Sequence, residues 1–402
     1  MFFLGMMVTE RTKKMEKSLK IAVVVDKKCL FSRKRFLETK MAKKHFLSIL
    51  AASALILLGC SGENSVEVTS EVLGPSVVPE RVGPVSQYGQ LMAGAPEGQG
   101  RIYGSCEGVT AGKEVQVRGM SLYWSVGNKN ATQFYTEDGI KAMVRDMNIE
   151  IVRAAIGTSE NWGTKGYILD SAKQQDMIRQ VVNGAVKSDI YVIFDWHSHT
   201  ATDQIEDAKR FFEHVASEYG NYDNVIFEVF NEPKQQRWDA IRDYADTIIN
   251  VIRKYSDNLI LVGNPYWDQT PHSAIGNEVH DPLHNVAYTF HYYANTHRIA
   301  GEGLSAEKAM EAGLSVFVSE WGTGNADGGG TPDLAKNSQW QDWVNQYKLS
   351  AANWSASTIN EGTAAFTAQS TMDSLVFSTS GALVKEYLSA SNPASYTKCA
   401  AK

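Results

Sequence analysis

Eight short strand-like stretches, spaced by longer segments, leave this chain few folds to adopt. They are Val115–Met120, Glu150–Ile156, Ile190–Asp195, Val225–Phe230, Leu259–Val262, Val286–His291, Ser315–Ser319 and Ala351–Ser355. Each is rich in β-branched and aromatic residues and apolar almost throughout, the pattern of strands buried on both faces. Segments with helical period follow most of them: Thr136–Met147, Ser171–Lys187, Asp203–Tyr219, Trp238–Tyr255, Ser305–Ala312, Asn337–Lys348 and Gly381–Leu388. Thr136 is the expected N-cap of the first. After Leu259–Val262 a long loop with a short helix near His272 is expected instead. Strand–helix alternation calls for a parallel sheet, and eight units close it as an α/β fold, a (β/α)8 TIM barrel. A doubly wound open sheet is the rival. It would carry a Gly-rich phosphate loop after its first strand, where this chain has Gly119-Met120-Ser121 and then aromatics.

In a barrel the site is built at the carboxyl ends of the strands. The run V-I-F-E-V-F-N-E-P, Val225 to Pro233, must stop pairing before Pro233, which leaves Asn231 and Glu232 at its end. The run Ser315–Thr323 delivers Glu320 in the same way. The other strand ends offer Trp124, Arg153, Asp195-Trp196-His197, Trp267, His291, Tyr293 and Trp354. Two carboxylates about 5 Å apart hydrolyse a glycosidic bond with retention, one as acid/base and one as nucleophile. An Arg keeps one carboxylate ionised, and an Asn can bond a sugar 2-hydroxyl. Trp faces stack on pyranose rings.

Other residues receive plainer readings. Glu228 is expected on the opposite side of its strand from Asn231, without a catalytic part. Asp195 is expected to bond nearby backbone. His197 and His199 could form a metal pair, but no third ligand stands at ligand spacing, so neither metal nor other cofactor is expected. No G-x-S-x-G elbow is present. Trp340 and Trp343 read as core packing, and Gly322–Gly330 as a mobile loop at the site.

With these motifs in order, the chain resembles glycoside hydrolase family 5, and within it the bacterial endo-β-1,4-glucanases. The resemblance runs from about Val115 to Leu388. It is carried by I-V-R-A-A (Ile151–Ala155), Y-V-I-F-D-W-H (Tyr191–His197), V-F-N-E-P (Val229–Pro233), F-H-Y-Y-A (Phe290–Ala294), F-V-S-E-W-G-T (Phe317–Thr323) and N-W-S (Asn353–Ser355). It implies Glu232 as acid/base and Glu320 as nucleophile. It implies Arg153 and Tyr293 beside Glu320, His291 against Glu232, and Asn231 and His197 at the cleaved sugar. Trp354 would stack on the glycone side and Trp267 on the leaving-group side. Two departures stand out. Where many relatives have H-G-L-Q-W, this chain has Tyr123-Trp124-Ser125-Val126-Gly127, so Trp124 would replace a His contact. Ile359 occupies a usual Lys position two residues before Glu361. The same fold also serves mannanases, xylanases, mixed-linkage glucanases and inactive surface glycan-binding proteins.

The front of the chain reads differently. Lys43 and Lys44 precede an apolar run, Phe46–Leu58, and then Leu57-Leu58-Gly59-Cys60. The run is short of the ~20 residues that span a bilayer, and its end resembles a bacterial lipobox, with lipid on Cys60 and export to the outer membrane, cell surface or periplasm. An ordinary secretory signal is the alternative. Residues 41–59 are thus expected as a lipoprotein signal and residues 1–40 as an upstream extension or a long positive leader. Residues 60–100, rich in Ser, Val, Pro, Gly and Glu, are expected as a flexible tether, and residues 101–402 as the catalytic domain. Residues 1–59 hold 13 basic and 4 acidic side chains of the 39 and 45 in the chain, which leaves the remainder at −15. That charge argues against nucleic acid and suits a neutral β-glucan. Membrane contact is expected only through lipid at Cys60, and the domain is expected as a monomer. Cys106 and Cys399 remain as an even pair: a disulfide between the first and last elements, or two free thiols.

Overall fold

Runs that are apolar on both faces must be covered on both faces, and closing the sheet on itself inside a ring of helices does so. A computed structural model describes residues 77–159, 161 and 163–400. The barrel strands are β3 (Arg118–Leu122), β4 (Ile151–Gly157), β5 (Tyr191–His197), β6 (Val225–Glu228), β7 (Ile260–Val262), β8 (Val286–Tyr293), β9 (Val316–Gly322) and β10 (Ala351–Ala356). They form a closed barrel in the order β10-β3-β4-β5-β6-β7-β8-β9, every neighbour parallel. The (β/α)8 expectation is met. Helices Glu137–Met147, Ser171–Lys187, Ile205–Tyr219, Trp238–Ile252, Leu304–Glu311, Leu334–Gln346 and Thr379–Ser391 follow their strands. Thr136 caps the first, accepting from Gly139 N–H at 3.0 Å. After β7 only a short turn, Pro265–Asp268, and a 3-10 turn, Pro271–Ala274, intervene. Trp340 and Trp343 are buried against Phe290, as core.

The tether ends earlier than its composition suggests. Pro84–Tyr88 is helical, and β1 (Leu91–Gly94) pairs antiparallel with β2 (Arg101–Gly104). This hairpin closes the barrel at the amino ends of the strands. Leu91 and Ile102 pack with Val117, Ile151, Tyr191 and Leu261, a layer of side chains that would otherwise meet water. Polar bonds fix the seat: Ala93 N–H to Asn285 Oδ1 at 2.9 Å, and Ser315 O–H to the Arg101 carbonyl at 2.7 Å. Residues 77–100 therefore belong to the folded domain and not to a tether. The proposed signal, Cys60 and the start of the tether lie outside the described residues. Among the described residues no helix is long and apolar enough to cross a membrane.

Cys106, just past β2, is bonded to Cys399, 293 residues away, with the two Cα atoms 6.1 Å apart. The bond ties the tail to the floor hairpin, with neither half in a barrel strand, and Cys399 N–H also donates to the Ser86 carbonyl at 2.8 Å. Closing so long a loop restricts the unfolded chain. Cys106→Ser should therefore lower unfolding stability by about 2–5 kcal/mol in a denaturant titration, while activity at 25 °C is kept. An unchanged midpoint would show that the bond contributes nothing.

Candidate active site

The two strand-end carboxylates are brought together by different local devices. β6 stops at Glu228, and the chain turns before Pro233 with Glu232 in the left-handed region at φ +50°. That conformation costs an L-residue about 1–2 kcal/mol. It is held from both sides: Glu232 N–H donates to Asp268 Oδ2 at 2.9 Å, and the Glu232 carbonyl accepts from His199 Nδ1 at 3.0 Å. In β9, Thr289 pairs with Phe317 but His291 pairs with Glu320, so one extra residue bulges the strand. The bulge lets consecutive residues Ser319 and Glu320 both serve the site. A carboxylate oxygen of Glu232, one of Glu320 and a ring nitrogen of His291 all lie within 4.8 Å of one another.

Arg153, fully buried, ties this cluster together. Its Nη1 donates to Glu320 Oε2 at 2.8 Å, and its Nε and Nη2 hold Glu228 at 2.8 and 2.9 Å. Nη2 also donates to Asn231 Oδ1 at 2.6 Å and lies 2.9 Å from Asp195 Oδ2. Two expectations are corrected here. Glu228 does not face away from Asn231, because regular strand alternation ends at Glu228 and both residues reach the same guanidinium. Asp195 accepts no backbone bond among the described residues; its Oδ2 also accepts from His197 Nδ1 at 2.7 Å. Tyr293 O–H donates to Glu320 Oε1 at 2.7 Å, so both Glu320 oxygens accept a donor.

Burial pushes the Glu232 carboxyl up to about 7, although His199 and Arg153 oppose it. Burial also pulls His291 down to about 4, so its ring is neutral and carries one N–H. Nε2 lies 2.9 Å from Ser319 Oγ, 3.6 Å from Asp268 Oδ2 and 3.8 Å from Glu228 Oε1. Three oxygens around Nε2 place the proton there. Nδ1 is left as an acceptor 3.1 Å from Glu232 Oε1, where a protonated Glu232 can donate to it.

The aromatic residues fall in two places. Trp354, 5% exposed, lies parallel to the His197 ring at 5.6 Å and against Tyr123 at 5.0 Å. Trp124 stacks on Tyr123 at 5.8 Å and tilts over His197 at 5.4 Å. Trp267, 39% exposed, stands apart on the β7 loop. The Nδ2 of buried Asn231 has no hydrogen-bond partner among the described residues, which leaves a donor for a ligand. Glu361 accepts from Tyr123 O–H at 3.1 Å. In Gly322–Gly330, Asn325 N–H donates to the Gly329 carbonyl at 2.8 Å, and Thr363 N–H donates to the Gly328 carbonyl at 3.0 Å.

Sequence reasoning missed Asp268 and Ser319 and misplaced Glu228. A bulge and a left-handed turn break the period-2 rule on which faces are assigned, so no pattern signal marks them. His197 and His199 each engage Nδ1, the first with Asp195 Oδ2 at 2.7 Å and the second with the Glu232 carbonyl at 3.0 Å. Two other groups have spacing that a cation could use: Glu228–Asp268–His291 and Glu232–His291–Glu320. In both, Arg153 already bonds one of the carboxylates.

The cellulase model of glycosyl hydrolase family 5 matches residues 109–360. The chain belongs to this family. Among sequence relatives, this family 5 chain is 39% identical over 254 residues to Endoglucanase Z of Dickeya dadantii, covering 62% of this chain and 57% of that one. It is 35% identical over 314 residues to an endoglucanase of Clostridium saccharobutylicum, covering 75% and 67%. The chain thus spans little more than half of Endoglucanase Z. Among solved structures, one from Cytophaga hutchinsonii aligns with a TM-score of 0.69 at 33% identity, over 77% of this chain and 98% of that one. The catalytic domain of a Thermobifida fusca endoglucanase aligns at 0.65 and 27%, over 77% and 100%. In this glycosyl hydrolase family 5 chain Glu232 follows β6 and Glu320 lies near the carboxyl end of β9.

Proposed function

We propose that this chain is a retaining endo-β-1,4-glucanase acting on cellulose and related β-glucans. The observation that carries it is the approach of one carboxylate oxygen of Glu232 to one of Glu320 within 4.8 Å, in keeping with the ~5 Å spacing of a double displacement. Glu320 attacks the anomeric carbon while Glu232 gives its proton to the glycosidic oxygen. The carbon–oxygen bond breaks and a glycosyl ester forms on Glu320. Water then attacks the same carbon, Glu232 takes its proton, and the ester bond to Glu320 breaks. Arg153 and Tyr293 hold the two Glu320 oxygens, and His291 holds the Glu232 proton through Nδ1. Asn231 presents its free amide to the sugar. His197, Trp354 and Trp124 bind the glycone side and Trp267 the leaving-group side.

The named relatives being endoglucanases supports glucan over other β-linked backbones. Carboxymethylcellulose, lichenan, mannan and xylan assayed side by side test this. The expected result is reducing ends from the first two, with an early fall in carboxymethylcellulose viscosity. Release chiefly from mannan or xylan would change the substrate, and release from none would make the site a binding one.

The raised Glu232 sets a pH limb. The acid works only while protonated, so kcat/KM should hold below pH 7 and fall tenfold per unit above about 7. A basic limb near 5 would mean that Glu232 is not the acid.

The same proposal places the domain outside the inner membrane, held by lipid on Cys60. Labelling of the full chain with a palmitate analogue in cells, lost in Cys60→Ala, tests that placement.

A further inference from the structure

We propose that Asp268 is a positioning residue for the acid/base, fixing the backbone of Glu232 and so the place where its carboxyl meets the glycosidic oxygen; this rests on Glu232 as acid/base. Asp268 is fully buried, and its two oxygens are taken by backbone N–H groups of two different loops. Oδ2 accepts from Glu232 at 2.9 Å and Oδ1 from Asn264 at 2.6 Å. Without that carboxylate the part-buried Glu232 N–H would lose its partner in a conformation that already costs free energy.

The β7 loop is shaped to deliver Asp268. Tyr266, Trp267 and Asp268 are left-handed in succession, at φ +59°, +56° and +59°, with no glycine among them. Such a run persists only where its surroundings over-determine it. Tyr266 N–H donates to the Lys234 carbonyl at 2.7 Å and Trp267 N–H to the Pro233 carbonyl at 2.9 Å, so the loop is zipped onto the one carrying Glu232. Gly263 permits the approach: a Cβ there would lie 2.2 Å from the Phe230 carbonyl oxygen. The two loops thus act as one piece, with the Trp267 platform and the Glu232 carboxyl at fixed separation. A polymer ring stacked on Trp267 would bring its glycosidic oxygen to an acid already aimed at it.

Asp268→Asn tests this. Asn keeps size and one acceptor oxygen, but its amide N–H2 must face one of the two backbone donors. The probes are cellotetraose, which needs a proton on its leaving group, and 2,4-dinitrophenyl β-cellobioside, which does not. With Glu232→Gln as reference, D268N should lower kcat/KM on cellotetraose by about 10–100-fold and on the dinitrophenyl substrate by less than about threefold. Equal losses on both would reduce Asp268 to a fold-supporting residue, and no loss would remove it from the site; either overturns the proposal. If E232Q itself loses both substrates equally, the acid/base assignment falls and takes this inference with it. Should D268N not fold, Asp268→Ser, with one acceptor oxygen in a smaller side chain, must show the same split or the proposal fails.

Discussion

Glu320→Gln should lower kcat by at least about 10⁴-fold on every β-glucan substrate while the fold survives. The reason is local. Gln keeps the side-chain volume and an oxygen for Tyr293 or Arg153, but an amide is too weak a nucleophile to form the ester. The surrounding charges change little in shape, since Arg153 keeps Glu228, Asp195 and Asn231 as partners. The thermal midpoint should therefore stay within a few degrees of the parent. Incubation with 2,4-dinitrophenyl 2-deoxy-2-fluoro-β-cellobioside should add one glycosyl mass to the parent, on the peptide that contains Glu320, and none to the variant. Residual turnover near the parent level, or a labelled peptide elsewhere, would displace Glu320 as nucleophile.

Glu232→Gln has the second largest expected effect, and its signature is selective. On cello-oligosaccharides kcat/KM should fall about 10²–10⁴-fold, because the departing oxygen receives no proton. On 2,4-dinitrophenyl β-cellobioside the first step should persist, since that leaving group departs as an anion. The second step still lacks its base, so the glycosyl-enzyme should accumulate and give a burst. Azide, which attacks without needing deprotonation, should restore turnover and yield the β-glycosyl azide. An α-azide, or absence of rescue together with equal loss on both substrates, would place the acid/base elsewhere.

Much of this was legible because the chemistry sits where the strand pattern is strongest. Val225–Phe230 and Ser315–Ser319 are apolar runs that can only be buried strands, and Pro233 and Gly322 mark their ends, so Glu232 and Glu320 fell at one barrel mouth by position alone. What escaped notice depends on departures from regular geometry. Ser319 and Glu320 are neighbours that alternation assigns to opposite faces, and only the bulge in β9 unites them around His291 and Arg153. Glu228 misled in the same way, since the chain leaves the extended form just after it. Asp268 stands at the end of three left-handed residues that carry no glycine to announce them. The first strand of the floor hairpin was hidden by composition: Leu91-Met92-Ala93 is a short apolar run in a stretch rich in Pro and Gly, and the burial of Leu91 is decided by the barrel beneath it.

The double displacement itself is tested most directly by the configuration of the first product. Proton NMR of a cello-oligosaccharide digest, recorded before mutarotation, should show the new reducing end formed as the β-anomer, the outcome of two successive displacements at one carbon. An α-anomer formed first would mean inversion, and would contradict a covalent intermediate on Glu320.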